Sequence, residues 1–152
     1  MTQTTALKKI LVVCTGNTCR SPMAEALFKQ EVAKKGWGGR VEVSSCGIGT
    51  RDGIPAASEA VFVMRNREVD ISGHRSRQMK PEFLKESSVI VAMNPSHAEA
   101  LIAEHPEVKQ KMVTFNIADP IGMSIRVYEE TIQLIQAEMA KRWPEITKKL
   151  GV

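Results

Sequence analysis

The segment from Ile10 to Pro22, ILVVCTGNTCRSP, constrains the fold more than any other stretch of the chain. It joins a run of β-branched and other apolar residues to a short polar loop and then to a Ser-Pro pair, which is typical of a helix start. A buried strand, a loop and a helix form the repeating unit of parallel α/β proteins. Because ligands bind beyond the carboxyl ends of the strands in such proteins, we expect residues 14–20 to form a ligand-binding turn.

Short apolar runs alternate with helical patterns along the rest of the chain. Strands are predicted at 7–13, 41–45, 88–93 and 111–115, and helices at 21–35, 56–65, 81–85, 95–105 and 124–150. Ser21 is expected to cap the first helix with Pro22 at its first position, and Pro144 to kink the last helix. Since the chain shows no repeat or linker, residues 1–152 are predicted to form one α/β domain with a parallel sheet.

Composition excludes several classes of function. The longest apolar run is the size of a strand, so no membrane span is predicted, and the N-terminal MTQTTALKK lacks the pattern of a signal peptide. Three cysteines argue against a disulfide framework and for a reducing compartment, hence a cytoplasmic protein. The net charge of +4 is spread along the chain without a basic, aromatic-rich run. This favours binding of small anions over nucleic acid.

The loop at residues 14–20 has the composition of an oxyanion site. Gly16 and Asn17 suit a tight loop with one or two residues at positive φ, which turns successive N–H groups inward. The N-terminus of the following helix and the planar fork of Arg20 both favour a bound phosphate. The same surroundings favour the thiolate form of Cys14. We therefore expect Cys14 to attack a bound phosphoryl group in line, with a carboxylic acid from another loop protonating the leaving group.

Other interpretations of the loop have less support. A nucleotide-binding P-loop needs a Gly-Lys-Ser/Thr sequence, which is absent from the chain. Cys14 and Cys19 lack the further cysteine or histidine pair that a zinc site requires. A purely structural cysteine remains open, although Arg20 and the Ser-Pro pair do not favour it.

The stretch VCTGNTCRSPMAEALF closely resembles the C-x5-R-[ST] signature of the low-molecular-weight protein tyrosine phosphatases. Similar segments follow along almost the whole chain: VSSCGIGT, DISGHRSRQM, VIVAMNPSH and ADPIGMSIRVYEET. The resemblance implies a three-layer α/β domain, in which a four-stranded parallel sheet has helices on both faces. It also implies a hydrolase that acts on phosphorylated proteins, without a metal or an organic cofactor. The oligomeric state is left open, and a monomer is the simplest interpretation.

The resemblance also implies roles for individual residues. Cys14 resembles the nucleophile, Arg20 the phosphate clamp and Asp119 the general acid. The rest of the phosphate-binding loop is Thr15, Gly16, Asn17, Thr18 and Cys19. A hydrogen-bond network that supports the loop and the thiolate is implied for Asn17, Ser21, Ser45 and His74.

Three further side chains complete the predictions for cysteine and histidine. Cys19 resembles the second cysteine that forms a reversible disulfide with the nucleophile in many relatives, which protects a thiolate from irreversible oxidation. Cys46 is given no role. His97 and His105 are interpreted as ordinary core or surface residues.

The substrate class is the finest prediction. Arsenate reductases of this scaffold need further cysteines, and none follows Cys46. Thr18 and the DPxGxSIxxY pattern resemble the bacterial protein arginine phosphatases, whereas phosphotyrosine enzymes often have an apolar residue at the position of Thr18. Ile121, which stands where both groups carry an aromatic residue, and Ile48 are predicted to line the substrate mouth. Phosphoarginine is favoured over phosphotyrosine, and a non-catalytic phosphate-binding module is the alternative from another class.

Overall fold

Four parallel strands form the sheet of the computed structural model, which describes residues 7–152. They are β1 (Lys8–Cys14), β2 (Val41–Gly47), β3 (Val89–Ala92) and β4 (Met112–Thr114). The order β2-β1-β3-β4 places β1 in the interior, where Cys14 pairs with Gly47 and Val13 with Ala92. The last residue of β1 therefore lies at the carboxyl edge of the sheet. The signal-peptide prediction concerns a segment of which residues 1–6 lie outside the described residues.

Within residues 7–152, five α-helices and one 3₁₀ helix connect and cover the strands. They are α1 (Arg20–Lys34), α2 (Ser58–Arg65), α3 (Pro81–Glu86), α4 (Pro95–Glu104), the 3₁₀ helix Pro106–Lys111 and α5 (Ile125–Leu150). Every predicted strand and helix is observed, and each observed end lies within two residues of the predicted one. The 3₁₀ helix was not predicted, because six residues are too few to show a periodic apolar pattern in the sequence.

The sheet is covered on both faces, as the alternation of β1 side chains shows. Ile10 and Val12 join a core built with α1, α2 and α5, whereas Leu11 and Val13 join a second core built with α3 and α4. Successive side chains of a strand point to opposite faces, so a fully apolar strand needs apolar cover on both. The predicted single three-layer α/β domain is confirmed. No helix within residues 7–152 has the length and apolar character that crossing a bilayer requires.

Two predicted helix starts were wrong, and both errors lie beside the phosphate loop. α1 begins at Arg20 with Cys19 at the cap position, and Ser21 does not cap it. The hydroxyl of Ser21 instead contacts the sulfur of Cys14. α2 begins at Ser58 and not at 56, because Pro55 bridges to Arg75 and so extends the chain ahead of the helix.

The last helix follows the prediction more closely. Ser124 caps α5 by accepting a hydrogen bond from the N–H of Val127, and Gly151 ends it in the left-handed conformation. Helical structure continues through Pro144 to Leu150.

Candidate active site

Cys14 lies at the base of the loop between β1 and α1, with two hydrogen-bonding groups on its sulfur. The backbone N–H of Asn17 lies 3.2 Å from Sγ and the hydroxyl of Ser21 lies 2.8 Å from it. The loop closes so tightly because Asn17 adopts φ of 56°, the left-handed conformation that asparagine tolerates better than most residues. Positive φ was predicted for the Gly16–Asn17 pair, and Asn17 alone of the two adopts it.

The side chain of Asn17 sets the direction of the hydrogen bonds beneath the loop. Its Oδ1 accepts from the backbone N–H of Arg77 at 2.9 Å, which fixes the amide orientation because that N–H can only donate. Nδ2 consequently donates both hydrogens, to Oγ of Ser21 at 2.8 Å and to Oγ of Ser45 at 2.9 Å. Ser21 then has its own hydrogen free for the sulfur of Cys14. The sulfur of Cys14 therefore faces two hydrogen-bond donors.

Glu25, which was not predicted from the sequence, extends this network. Oγ of Ser45 donates to Oε1 of Glu25 at 2.5 Å, while Oε2 of Glu25 accepts from Nζ of Lys29 at 2.7 Å. Glu25 stands four residues after Ser21 on α1, so both side chains face the same way along the helix. That spacing was the available signal. We refer to Cys14, Asn17, Ser21, Ser45 and Glu25 as the base of the loop.

The backbone of the loop is also held by the segment after α2 and approached closely by the end of β2. Nε2 of His74 lies 2.7 Å from the carbonyl oxygen of Asn17. Gly47, at the end of β2, lies so close to the loop that a Cβ on it would sit 2.5 Å from the carbonyl oxygen of Thr15 and 3.2 Å from Cβ of Asn17. Glycine at position 47 is therefore required by close approach, because no larger residue fits there without moving the loop.

Arg20 and Asp119 meet above the loop. Nη1 of Arg20 donates to the carbonyl oxygen of Ile117 at 3.0 Å, and Nη2 lies 3.5 Å from Oδ2 of Asp119. Oδ1 of Asp119 accepts from the N–H of Ile121 at 3.1 Å, which fixes the carboxylate on its turn. The guanidinium is almost fully buried, whereas the carboxylate is 44% exposed. A fixed fork below and an accessible carboxylate above suit an anion and its leaving group, respectively.

A cavity of about 30 Å³ opens between these groups. Its lining residues are Cys14, Gly16, Asn17, Thr18, Cys19, Arg20, Asp119 and Ile121. Ile121 is 60% exposed at the rim. Ile48, which was predicted to share this mouth, is not part of the lining and packs against the core on the α3 and α4 side. We refer to Thr18, Asp119 and Ile121 as the mouth.

A sequence model of the low molecular weight phosphotyrosine protein phosphatases matches residues 9–151. The chain belongs to this family. It is a protein phosphatase, and therefore a hydrolase whose substrates are phosphoproteins.

Its relatives include phosphatases named for different substrates. The chain is 37% identical over 136 residues to a probable low molecular weight protein-tyrosine-phosphatase, EpsP, from Ralstonia nicotianae, covering 86% of this chain and 90% of that one. It is 36% identical over 129 residues to a protein-arginine-phosphatase from Geobacillus stearothermophilus, covering 79% and 83%. A solved YwlE arginine phosphatase mutant with a phosphorylated active site serine superposes with a TM-score of 0.82 at 27% identity, covering 93% of this chain and 99% of that one.

The three cysteines of the phosphatase lie in different surroundings. Cys19 is buried in the loop, 3.3 Å from the hydroxyl of Tyr128, and burial raises the pKa of its thiol. Cys46 is fully buried in the core on the α3 and α4 side, and burial raises its pKa to about 12. Cys46 is therefore an inert core residue. Within residues 7–152, no group of three or more His, Cys, Asp or Glu side chains is placed to hold a metal ion.

His97 is the second residue of the phosphatase site that the sequence analysis missed. It was interpreted as an ordinary core or surface residue, but its Nε2 lies 2.8 Å from Oγ1 of Thr15 in the phosphate loop. Burial, together with the nearby positive charge of Arg20, lowers the pKa of His97 to about 4, so the imidazole is neutral at pH 7. His105, by contrast, lies at the far end of α4 near the carboxylate of Glu107.

Proposed function

We propose that this phosphatase hydrolyses phosphorylated protein side chains through a phosphocysteine at Cys14. The observation that carries the proposal is the pair of hydrogen bonds that Asn17 and Ser21 direct at the sulfur, because they hold a nucleophile in its reactive form. The sulfur attacks phosphorus, and the bond from phosphorus to the side chain of the substrate breaks. Asp119 protonates the leaving oxygen or nitrogen.

The second half of the reaction regenerates the enzyme. Asp119 takes a proton from water, the water oxygen attacks phosphorus, and the bond to the sulfur of Cys14 breaks to release inorganic phosphate. Arg20 holds two phosphate oxygens in both steps, with its guanidinium fixed by Ile117. The phosphorylated active site serine in the related YwlE mutant supports a covalent intermediate in this family.

Turnover of a generic aryl phosphate tests the mechanism. Cys14→Ser should abolish turnover, and Asp119→Ala should lower kcat by about 100-fold while a burst of leaving group still reports phosphoenzyme formation. Asp70→Ala, at an exposed aspartate of the segment after α2, is the matched control and should leave kcat unchanged. Full activity of Cys14→Ser would contradict the proposal. Phosphate binding without turnover in the wild-type protein would restore the non-catalytic alternative.

For the substrate class, we propose phosphoarginine, with phosphotyrosine as the second candidate. The hydroxyl-bearing Thr18 belongs to the cavity wall, and the described lining contains no aromatic side chain to stack on a phenyl ring. A polar wall suits the planar, polar phosphoguanidinium group better than a phenyl ring. The second candidate is favoured by the 37% identity to the relative named as a tyrosine phosphatase.

One comparison of substrates distinguishes the two. We expect wild-type kcat/KM to be higher on phosphoarginine peptides than on phosphotyrosine peptides, and Thr18→Ile to lower this ratio by about tenfold through loss of a polar contact. Thr147→Ile, in the last turn of α5, is the matched control. An unchanged ratio in Thr18→Ile would remove the argument from Thr18, and a wild-type preference for phosphotyrosine would overturn the assignment.

Two further features of this function are proposals of the same kind. Oxidation of the Cys14 thiolate by a peroxide would give a sulfenic acid, which the thiol of Cys19 then attacks with loss of water to form a disulfide. The three free thiols suit a reducing compartment, for which we propose the cytoplasm. Arsenate reduction is disfavoured because Cys46, the remaining cysteine, is inert in the core.

A further inference from the structure

The side chain of His97 is buried and makes one hydrogen-bonding contact among the described residues. It lies in the first turn of α4 and is 3% exposed. Its Nε2 contacts Oγ1 of Thr15, and its Nδ1 has no hydrogen-bond partner within residues 7–152. Burying an imidazole with half of its hydrogen-bonding capacity unused costs free energy. A purely apolar core position would be filled more cheaply by leucine or phenylalanine, so the contact with Thr15 needs an explanation.

The proton of the neutral ring belongs on Nε2. A neutral imidazole carries one N–H, and an unpaired N–H buried at Nδ1 is less favourable than an unpaired lone pair there. The Nε2–H group therefore donates to Oγ1 of Thr15. Protonation of the ring would place a second positive charge near the guanidinium of Arg20, which opposes it. His97 thus acts as an uncharged donor at pH 7.

Thr15 follows the nucleophile directly, so its position determines where the loop begins to turn. Its carbonyl oxygen accepts from the N–H of Gly49 at 3.0 Å, which ties its backbone to the segment after β2. The hydrogen bond from His97 ties its side chain to α4, on the other side of β1. The second half of the loop is held separately, through Asn17. Without His97, the peptide that joins Thr15 to Gly16 has one fewer restraint.

We propose that His97 is a positioning residue for the phosphatase reaction, which holds Thr15 so that the first turn of the loop keeps its anion-binding shape. The inference rests on the proposed function of the loop in binding the phosphoryl group. It concerns the affinity of the loop for phosphate and is independent of whether the substrate is phosphoarginine or phosphotyrosine. A loosened loop binds both the ground state and the transition state less well, so both KM and the inhibition constant for inorganic phosphate should rise.

The test measures the competitive inhibition constant of inorganic phosphate together with kcat and KM on an aryl phosphate. His97→Phe keeps a ring of similar size without the donor, and it should raise the inhibition constant and lower kcat/KM by about tenfold, the effect of one lost hydrogen bond. His97→Gln restores an N–H donor at a similar reach and should recover most of the loss. His105→Phe, at the other end of α4, is the matched control and should change neither constant.

A double-mutant cycle with Thr15→Val separates positioning from packing. If His97 acts through Thr15, Thr15→Val alone should have the same effect, and the double variant should be no worse than either single variant. Additive effects, or an unchanged inhibition constant in a folded His97→Phe, would overturn the proposal. Should His97→Phe fail to fold, Thr15→Val carries the test, and an unchanged inhibition constant there overturns it equally.

A direct measurement of phosphate binding distinguishes failure of this inference from failure of the proposed function. Calorimetric titration of phosphate into Cys14→Ser, with and without His97→Phe, measures the grip on phosphate without turnover. If wild-type protein lacks turnover but His97→Phe weakens phosphate binding, the proposed chemistry fails and the positioning role stands. If wild-type protein hydrolyses the aryl phosphate and His97→Phe leaves the affinity for phosphate unchanged, the positioning role fails and the proposed chemistry stands.

Discussion

The base and the mouth of the phosphate loop are built on opposite principles. At the base, Asn17, Ser21 and Ser45 are buried, and each hydrogen bond fixes the direction of the next from Glu25 to Cys14. At the mouth, Ile121 is 60% exposed and Asp119 is held by its own turn and one ion pair. A buried directional network tolerates no substitution, because each lost partner leaves a polar group unpaired. Apart from Asp119, the proposed general acid, the exposed mouth tolerates many substitutions, so specificity can change there while the chemistry stays intact.

Among the residues that support Cys14, the largest loss of activity should come from Asn17→Ala. The change leaves the N–H of Arg77 and two serine hydroxyls without their partner, and it forces alanine into a left-handed conformation. We expect kcat/KM on an aryl phosphate to fall by about 1,000-fold, since several buried groups each cost about 1–3 kcal/mol when unpaired. Asn66→Ala, at an exposed asparagine after α2, is the control. A loss below tenfold would mean that the base is less interdependent than its hydrogen bonds indicate.

Gly47→Ala should be the next most damaging change, and Gly49→Ala its matched control. A Cβ at position 47 would clash with the backbone of Thr15, whereas a Cβ at position 49 would meet only Cγ2 of Thr15 at an ordinary 3.7 Å. We expect the first variant to lower the free energy of unfolding by about 3 kcal/mol, the upper range for overpacking, and the second to leave it unchanged. Urea unfolding of both variants measures this difference. Equal stabilities would show that the loop moves away from β2 at little cost.

The burial of His97 should appear as a dependence of stability on pH. The pKa of His97 is lowered from its ordinary 6.5 to about 4 by burial, with Arg20 lowering it further and Asp119 opposing. Below pH 6.5 His97 binds a proton in the unfolded chain but stays neutral in the folded protein. Stability is therefore lost as the pH falls, and the loss levels off below about pH 4. Between pH 7 and 5 this amounts to about 2 kcal/mol.

Urea unfolding of wild type and His97→Phe at both pH values isolates this contribution. The variant lacks the ionisable ring, so its stability should fall by about 2 kcal/mol less than that of wild type over the same interval. Equal losses in the two proteins would indicate that His97 is protonated in the folded state at pH 5.

Glu25→Gln should have a moderate effect, because it reaches the sulfur only through Ser45 and Asn17. A glutamine can still accept a hydrogen bond from Ser45, but it lacks the negative charge. Its own N–H groups can also donate to Ser45, which would reverse the direction of the hydrogen bonds in the network. We expect kcat/KM to fall by about five- to tenfold, in line with one weakened charge-assisted hydrogen bond. Glu42→Gln, at an exposed position on β2, is the control. A loss of kcat/KM equal to that of Asn17→Ala would contradict this indirect role of Glu25.

The smallest effect on the chemistry should come from Ile121, the exposed apolar side chain of the mouth. Ile121→Ser removes an exposed apolar side chain from the rim, so kcat on a small aryl phosphate should stay within about threefold of wild type. The ratio of kcat/KM between peptide substrates is the measurement in which Ile121 should matter. A loss of kcat above about tenfold would remove the distinction between base and mouth.

The strands and helices were predictable because each leaves a local pattern in the sequence. The apolar β-branched run before Cys14 predicted a buried strand, and the loop composition predicted an anion site at its carboxyl end. The starts of α1 and α2 were predicted wrongly for one shared reason. Ser21 and Pro55 carry local signals of a helix start, but Ser21 contacts Cys14 and Pro55 bridges to Arg75, and these contacts come from other parts of the fold.

The sequence alone determined the α/β architecture, the position of the phosphate loop and the family to which the phosphatase belongs. These follow from periodicity and from residues close together in the chain, which local sterics and hydrogen bonding connect. Only the tertiary structure decided that Glu25 and His97 support the loop from two sides and that Gly47 has room for no side chain. The contacts that join Glu25 to Ser45, His97 to Thr15 and Gly47 to Thr15 span 20 or more residues of sequence. The packing of the finished fold sets them, and a local pattern such as the spacing of Ser21 and Glu25 shows only that two side chains share a face of α1.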